Sequence, residues 1–211
     1  MAYIRGGAGT VSSEAATWLI RLGVGKLPAV PRFTPRDRDA VVTAACDRAE
    51  QLRLLGAPLR EVLAVLTSLV EQLGDAPSVA SVLVLDGEGL LRNGASPNLP
   101  ADYLDAIDRL RPDAELGTCA AAAATGQVVF TPDFLQDAKW AELRHLPMAI
   151  GFHSAWSMPL VADGRVVGTF GTYFREKRMP TAAEVEVVTK VAPVAARAIA
   201  HAGASPLRRA A

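Results

Sequence analysis

Apolar residues recur at helical spacing towards both ends of the chain. They do so over residues 36–55, 59–73 and 182–202, so three amphipathic helices are expected there. Thr34 and Pro35 precede the first of them, as an N-cap and a first helical residue. Two long helices are therefore predicted before the central part of the chain and one after it.

An alternating pattern in the central part predicts strands. Residues 78–86 and 90–96 flank a Gly-Glu-Gly turn and form one predicted hairpin. Residues 152–161 and 166–174 flank an Ala-Asp-Gly-Arg turn and form a second, and a brief strand is predicted at 128–130. This combination of hairpins and helices indicates an α+β fold with an antiparallel sheet.

Shorter helices are expected in the connections. One is predicted over residues 100–110, and another runs from Pro132 or Asp133 to Leu143 with Trp140 on its apolar side.

Three regions follow from this pattern. Residues 1–57 are interpreted as an N-terminal extension, partly disordered and then helical, with a short helix predicted to end at Arg21. Residues 58–202 form the predicted folded domain, and residues 203–211 a frayed tail.

Composition narrows the classes of function. The 211 residues include 22 basic and 22 acidic side chains, so no net field favours nucleic acid or an anionic membrane. The two cysteines are far apart and lack CxxC spacing, which predicts neither a disulfide framework nor a zinc site. No apolar run reaches about 18 residues and no signal-peptide cleavage pattern is seen. A cytoplasmic protein is therefore expected.

Five separated segments resemble one known family. They are GASPNLPADYLDAID, LGTCAAAA, VVFTPDFLQDAKWAELRHL, GFHSAWSMPLVADGRVVGTF and MPTAAEVEVV. In this order they are similar to the GAF domain, in a subgroup usually attached to bacterial histidine kinases, cyclases and transcription regulators. The resemblance covers residues 59–202. It implies a GAF fold with an antiparallel sheet of about six strands, N- and C-terminal helices on one face and a ligand pocket on the other.

Two segments depart from the usual sequence of this subgroup. Where the subgroup has Gly-Thr after the cysteine, this chain has Ala120 and Ala121. Where the subgroup has an Arg and a Cys ahead of the tryptophan, this chain has His153 and Ala155. The implied pocket has thus lost polarity and gained an imidazole.

The segment ELGTCAAAAATGQVV predicts a helix that begins at Cys119 beside the implied pocket. Thr118 can cap this helix, so its free N–H groups would point into the pocket and suit a small anion such as nitrate. Two interpretations of Cys119 stay open: a helix N-terminus lowers the pKa of a thiol that faces a ligand, whereas a thiol that faces the core is inert. The alanine run is equally compatible with tight packing alone.

The gained imidazole raises the hypothesis of haem binding. A neutral histidine can ligate haem iron in an apolar pocket, and His153 is the preferred candidate for this cofactor and metal contact, followed by His145. Met148 and Met158 are candidate neighbours of such a group. The alternative is that both histidines are structural, since no spacing here is diagnostic of haem.

The sequence predicts a small-molecule-binding sensor module. Its predicted pocket residues are Thr118, Cys119, Trp140, Met148 and Trp156, and no catalytic residue is assigned. The alternative is a haem protein that acts as a gas sensor or as an enzyme on a small nitrogen or oxygen substrate. A free methionine-R-sulfoxide reductase is less favoured, because thiol chemistry of that kind needs a second cysteine in the pocket.

The expected partners are a small-molecule ligand and a second copy of the chain, joined through helices 36–72 and 182–202. No kinase, cyclase or helix-turn-helix segment is recognised in this sequence, so three alternatives stay open: the chain signals through a separate output protein, it is an input fragment of a longer protein, or the pocket itself does chemistry. Nucleic acid and membrane are not expected as partners.

Overall fold

The computed structural model describes residues 34–204. The helices are α1 (Pro35–Leu54), α2 (Leu59–Leu73), α3 (Ala101–Ala106), α4 (Thr118–Thr125), α5 (His145–Ala149) and α6 (Ala182–Ala204), with a 3-10 turn at Ala138–Trp140. The strands are β1 (Ser78–Leu85), β2 (Leu91–Ala95), β3 (Val129–Thr131), β4 (Ser154–Ala162) and β5 (Arg165–Phe174). The predicted helix ending at Arg21 and the tail beyond residue 204 lie outside the described residues.

The first helix begins where the sequence predicts. The Thr34 hydroxyl accepts a hydrogen bond from the backbone N–H of Asp37, and the Asp37 carboxylate accepts one from the backbone N–H of Thr34. Pro35 occupies the first helical position, where its missing N–H costs nothing. This reciprocal capping box fixes the start of α1.

The sheet has five strands in the order β2-β1-β5-β4-β3, and every neighbouring pair is antiparallel. These are the five strands that the alternating pattern predicts. The family resemblance implied about six, and residues 34–204 form one strand fewer. Between β2 and β4 the chain contributes only the short β3 and otherwise forms helices and turns. The α+β class is confirmed.

One face of the sheet is covered by α2 and α6, which flank the sheet in sequence. Their apolar side chains form the largest buried core with side chains from four strands, among them Val82, Trp156 and Phe170. Helix α1 packs against both of these helices and fully buries only Val42 and Ala49. The helical layer therefore combines elements from both ends of the described chain.

The opposite face carries α4, which packs against β4 and β5. Two smaller buried clusters lie on this side, one around Phe134, Trp140 and Tyr173 and one around Leu83 and Cys119. This arrangement agrees with the expected GAF layout, in which helices cover one face and the site lies on the other.

The helix predicted from Pro132 or Asp133 to Leu143 is wrong. The Asp137 carboxylate accepts the backbone N–H of Lys139 and caps a 3-10 turn that ends at Trp140. The Asp133 carboxylate accepts the N–H of Leu135 in an earlier turn. These side chains compete with the backbone for its own hydrogen bonds, so the segment forms successive turns instead of one helix.

Candidate functional site

The alanine-rich helix α4 lies close against the sheet. All side chains from Thr118 to Ala123 are buried, and small side chains let the helix axis approach β4 and β5. Gly117 makes the turn into the helix at φ +54°, a conformation that favours glycine. Its N–H donates to the carbonyl of Lys139 at 2.7 Å, which joins the start of α4 to the 3-10 turn.

The start of α4 differs from the prediction. Gly117 is the N-cap and no side chain caps the helix, whereas Thr118 is the first helical residue. The Thr118 hydroxyl accepts a hydrogen bond from Ser157 on β4, because it points to the sheet and not to the helix N–H groups. Thr118 therefore contributes a polar group to the interface between α4 and the sheet.

A small cavity lies between α4, β5 and the segment 140–147. Its volume is about 20 Å³, which is room for about one water molecule. The residues that line it are Leu83, Tyr103, Ile107, Leu110, Leu116, Gly117, Thr118, Cys119, Ala120, Trp140, Leu143, Leu146, Pro147 and Tyr173. None of these side chains is charged at neutral pH, so the cavity has apolar walls with a few hydroxyl groups and one thiol.

A row of hydroxyl and thiol groups runs from this cavity to the sheet. The Tyr103 hydroxyl donates to the Tyr173 hydroxyl at 3.1 Å, and the Cys119 Sγ lies 3.1 Å from the Ser157 Oγ. Ser157 in turn donates to the Thr118 hydroxyl at 2.9 Å. Tyr173 and Cys119 both line the cavity. We refer to Tyr103, Tyr173, Cys119, Ser157 and Thr118 as the hydroxyl–thiol row.

The ionisable members of this row are all held in their neutral forms. Burial raises the pKa of the Cys119 thiol, and its hydrogen bonds with Ser157 and other neighbours only partly oppose that effect. Burial likewise raises the pKa of Tyr103 and that of Tyr173. Cys119 is thus a buried, hydrogen-bonded thiol, and the helix N-terminus does not make it a thiolate.

Three of the predicted pocket residues line the cavity, namely Thr118, Cys119 and Trp140. Trp140 is fixed by two contacts: its indole Nε1 donates to the Thr131 hydroxyl at 3.2 Å, and its ring lies 4.2 Å from that of Phe134. The sequence therefore identifies the start of α4 and one aromatic wall.

Two other predicted pocket residues lie elsewhere. Trp156 is buried in the core beneath α2 and α6, on the far face of the sheet. The reason is strand alternation: Ser157 contacts α4, so its neighbour Trp156 faces the other way. Met148 is half-buried and packs beside the cluster around Phe152 and Tyr173 without lining the cavity.

Neither candidate haem ligand lines the cavity. His145 is exposed at the start of α5, and His153 is half-buried just before β4. The backbone of His153 joins two elements, since its N–H donates to Phe174 and its carbonyl accepts from Phe134. A histidine-ligated haem does not fit the residues around this cavity, because no imidazole lines it.

Sequence reasoning missed the two tyrosines. Tyr103 belongs to a segment expected to be a helix, and Tyr173 to a predicted strand. Neither was therefore considered as a pocket residue. Alternation along β5 could have indicated them. Thr169, Gly171 and Tyr173 share one face of this strand, and their side chains are smaller and more polar than those expected in the main core.

The part of the chain that the structure describes contains neither a cluster of metal-binding side chains nor a membrane-spanning helix. Within residues 34–204, no three His, Cys, Asp or Glu side chains are grouped as a metal site would require. No helix in the same range is long and apolar enough to cross a membrane.

Comparison with known proteins identifies the family. The family model for the GAF domain matches residues 56–200, which is well over half of the chain. The protein therefore belongs to the GAF family, as its fold also indicates.

The relatives include a sensor protein and two solved domains. The methyl sulfide methyltransferase-associated sensor of Methanosarcina acetivorans is 33% identical over 148 residues, which are 69% of this chain. This chain spans only 15% of the length of that relative. A domain of a two-component sensor histidine kinase protein from Sinorhizobium meliloti matches with a TM-score of 0.57 at 23% identity, over 72% of this chain and 96% of that one. The GAF domain of an Acinetobacter phosphoenolpyruvate-protein phosphotransferase matches with a TM-score of 0.62 at 13% identity, over 81% and 96%.

Proposed function

We propose that this chain is a sensor module that binds a small, uncharged and largely apolar molecule in the cavity beside α4. The composition of the cavity wall carries the proposal, since it combines apolar side chains with the hydroxyl–thiol row and has no charged side chain. A charged ligand would lose its hydration there without gaining a counter-charge, at a cost of several kcal/mol. The sensor role is supported by the name of the Methanosarcina acetivorans relative.

The ligand is held by shape and by one or two hydrogen bonds. Leu143, Leu146 and Trp140 supply apolar contact, and the Tyr103 and Tyr173 hydroxyls supply groups that can both donate and accept. Small-molecule sites commonly have this composition of apolar walls and few polar groups. We therefore expect a neutral molecule with a single polar group, such as an alcohol, a ketone or a thioether.

Ligand entry requires the wall to move. The cavity volume of about 20 Å³ accepts about one water, whereas sites for organic ligands usually measure about 300–1,000 Å³. The wall formed by residues 140–147 consists of a turn and the beginning of the short helix α5. The hydrogen bond from Gly117 to Lys139, next to this wall, joins it to α4. Displacement of this segment would enlarge the cavity and pull on the start of α4.

A bound anion or haem is less well supported by this geometry. The N–H of Gly117 already donates to Lys139, and no cation lines the cavity to balance an anion. The histidines that would ligate haem iron lie outside the lining.

The signal would leave through the helical layer. Strands β4 and β5 contact α4 on one face and α6 on the other, so a shift of these strands on ligand binding would reach α6 directly. We expect the recipient to be a second copy of the chain or a separate output protein.

The test is a screen of small neutral and small charged molecules by protein-observed NMR. We expect neutral binders to shift the amide signals of α4 and the indole signal of Trp140. Ala120→Val fills the cavity and should weaken these binders, whereas Ala124→Val makes the same change on the exposed side of α4 and serves as the control. The proposal would be contradicted if all binders were charged, or if Ala120→Val left the affinity of the neutral binders unchanged.

A further inference from the structure

Two buried polar side chains on the helical face of the sheet have no hydrogen-bond partner among the described residues. They are the indole Nε1 of Trp156 and the hydroxyl Oγ1 of Thr172, on residues that are 1% and 3% exposed. Trp156 and Thr172 are directly paired across β4 and β5, so their side chains are neighbours on one face. An unsatisfied buried donor destabilises the folded state, and two adjacent ones call for a common explanation.

Both side chains border the same small cavity. It lies between the sheet and the helical layer, has a volume of about 10 Å³, and is also lined by Ser78 and by Glu184 on α6. The candidate ligand site lies on the opposite face of the sheet, so the two cavities are separate. A volume of this size is close to the minimum for one water molecule and excludes anything larger.

We propose that a single ordered water molecule occupies this cavity and bridges the sheet to the first turn of α6. The indole N–H and the Thr172 hydroxyl donate to the water oxygen. One water proton is donated to the Ser78 hydroxyl, which lines the cavity. The other is donated to the Glu184 carboxylate, in addition to the four hydrogen bonds that this group accepts from Asp75, Thr181 and Arg178. The occupant has to be a hydrogen-bond acceptor, because an indole N–H can only donate, and this excludes a metal cation.

The position of this water places it between the candidate ligand site beside α4 and the start of helix α6. The Trp156–Thr172 pair is the next pair along the strands from Ser157–Gly171, and Ser157 belongs to the hydroxyl–thiol row. A ligand that displaces Ser157 would therefore move the indole that holds the water. On the other side, Glu184 accepts hydrogen bonds from the backbone N–H groups of Asp75 and Thr181 at the start of α6.

The experiment combines a crystal structure that resolves ordered waters with solution NMR. We expect density for one water within hydrogen-bond distance of both Trp156 Nε1 and Thr172 Oγ1. The indole N–H signal of Trp156, assigned by its loss in Trp156→Phe, should show a cross-peak to a long-lived water. Thr172→Val removes one of the water's two donors and should abolish or strongly weaken that cross-peak.

Thr189→Val is the matched control, because it makes the same substitution at an exposed position on α6 and should leave the cross-peak intact. The crystal structure and the indole cross-peak of the wild-type protein test the proposal even if Thr172→Val folds poorly. An empty cavity in the crystal, or an indole signal without a water cross-peak in the wild-type protein, would overturn the proposal. A direct hydrogen bond from the indole to Glu184 would overturn it as well.

Discussion

Gly171 and Cys119 meet at the closest approach of α4 to the sheet. A Cβ placed on Gly171 would lie 3.0 Å from the Cys119 Sγ and 3.4 Å from the Ser157 Oγ. We expect Gly171→Ala to lower the free energy of unfolding by about 1–3 kcal/mol, because the thiol has to shift within a packed interface. Urea denaturation followed by circular dichroism measures this change.

A double-mutant cycle separates this contact from a general effect of alanine in a strand. Cys119→Ala removes the Sγ, so Gly171→Ala should cost at least about 1 kcal/mol less in that background. Gly168→Ala is the comparison, since its Cβ would lie 2.3 Å from the backbone oxygen of Leu83, which side-chain truncation cannot relieve. Equal costs of Gly171→Ala in both backgrounds would refute the proposed contact.

The buried thiol also predicts how stability depends on alkaline pH. The pKa of Cys119 is raised by burial from its ordinary value of 9.0, so the unfolded chain loses this proton first. The free energy of unfolding is unaffected below that ordinary value. It then falls with increasing pH until the folded pKa is reached, by up to about 1.4 kcal/mol per pH unit. Tyr103 and Tyr173 add to this loss above their ordinary value of 10.0.

Urea denaturation at pH 8, 9 and 10 tests this expectation. Cys119→Ser has no thiol to titrate, so its loss of stability between pH 8 and 10 should be smaller than that of the wild type by about 1 kcal/mol. Cys46→Ser is the control, because that thiol is only partly buried and should have less effect. Identical pH profiles for the wild type and Cys119→Ser would contradict a buried, protonated thiol.

The site residues show where sequence reasoning reaches its limit. Alternation along β4 divides its side chains into two faces, one with Ala155 and Ser157 and the other with Trp156, but does not say which face meets the ligand. The sequence places Trp156 beside the pocket through its strand alone, whereas the structure packs its side chain against the helical layer. The pairing of β4 with its neighbours and the position of α4 show that Ser157 faces α4 and Trp156 faces the helical layer.

At the scale of elements, a cluster of charged and polar groups fixes the start of α6. The Glu184 carboxylate accepts from both terminal nitrogens of Arg178, at 2.7 and 2.8 Å, and from the backbone N–H of Thr181. The Arg178 guanidinium also lies 3.5 Å from the Phe174 ring, at the end of β5. This cluster therefore connects the last strand to the last helix.

We expect Glu184→Gln to lower the free energy of unfolding by about 3 kcal/mol, because it leaves a largely buried guanidinium without its counter-charge. Thermal and urea denaturation at pH 7 measure the effect. Thr181→Ala is the control at the same helix end: it removes the hydroxyl that caps Glu184 N–H but keeps the ion pair, so it should cost only about 1 kcal/mol. A smaller loss for Glu184→Gln than for Thr181→Ala would contradict this account.

The elements themselves were predictable where local signals agree. Helix α2 was predicted over residues 59–73 and has those bounds, because its apolar stripe and its flanking Gly and Pro indicate the same limits. The segment between β3 and β4 was not predictable, because Asp133 and Asp137 bond the backbone locally and Trp140 is held by a distant hydroxyl on β3. Tertiary contacts of this kind leave no periodicity in the sequence.

At the scale of the whole molecule, the helical layer presents apolar side chains that no other residue in the range 34–204 covers. Leu54 and Leu55 at the end of α1 are 70% and 79% exposed. They lie next to the α1–α2 junction, where a groove of about 320 Å³ runs between Ala57, Leu59 and the last turns of α6. Large exposed apolar side chains beside a groove are typical of a protein interface.

We therefore expect a homodimer formed through this helical face, and light scattering at micromolar concentration should give a mass of two chains. Leu54→Glu combined with Leu55→Glu should shift the mass to that of one chain, because a dimer would bury these charges without partners. Leu135→Glu places the same charge on another exposed leucine, outside the helical layer, and should leave the dimer intact. A wild-type mass of one chain, or dimer loss only in Leu135→Glu, would exclude this interface. In either case the signal from the site would have to leave through another surface.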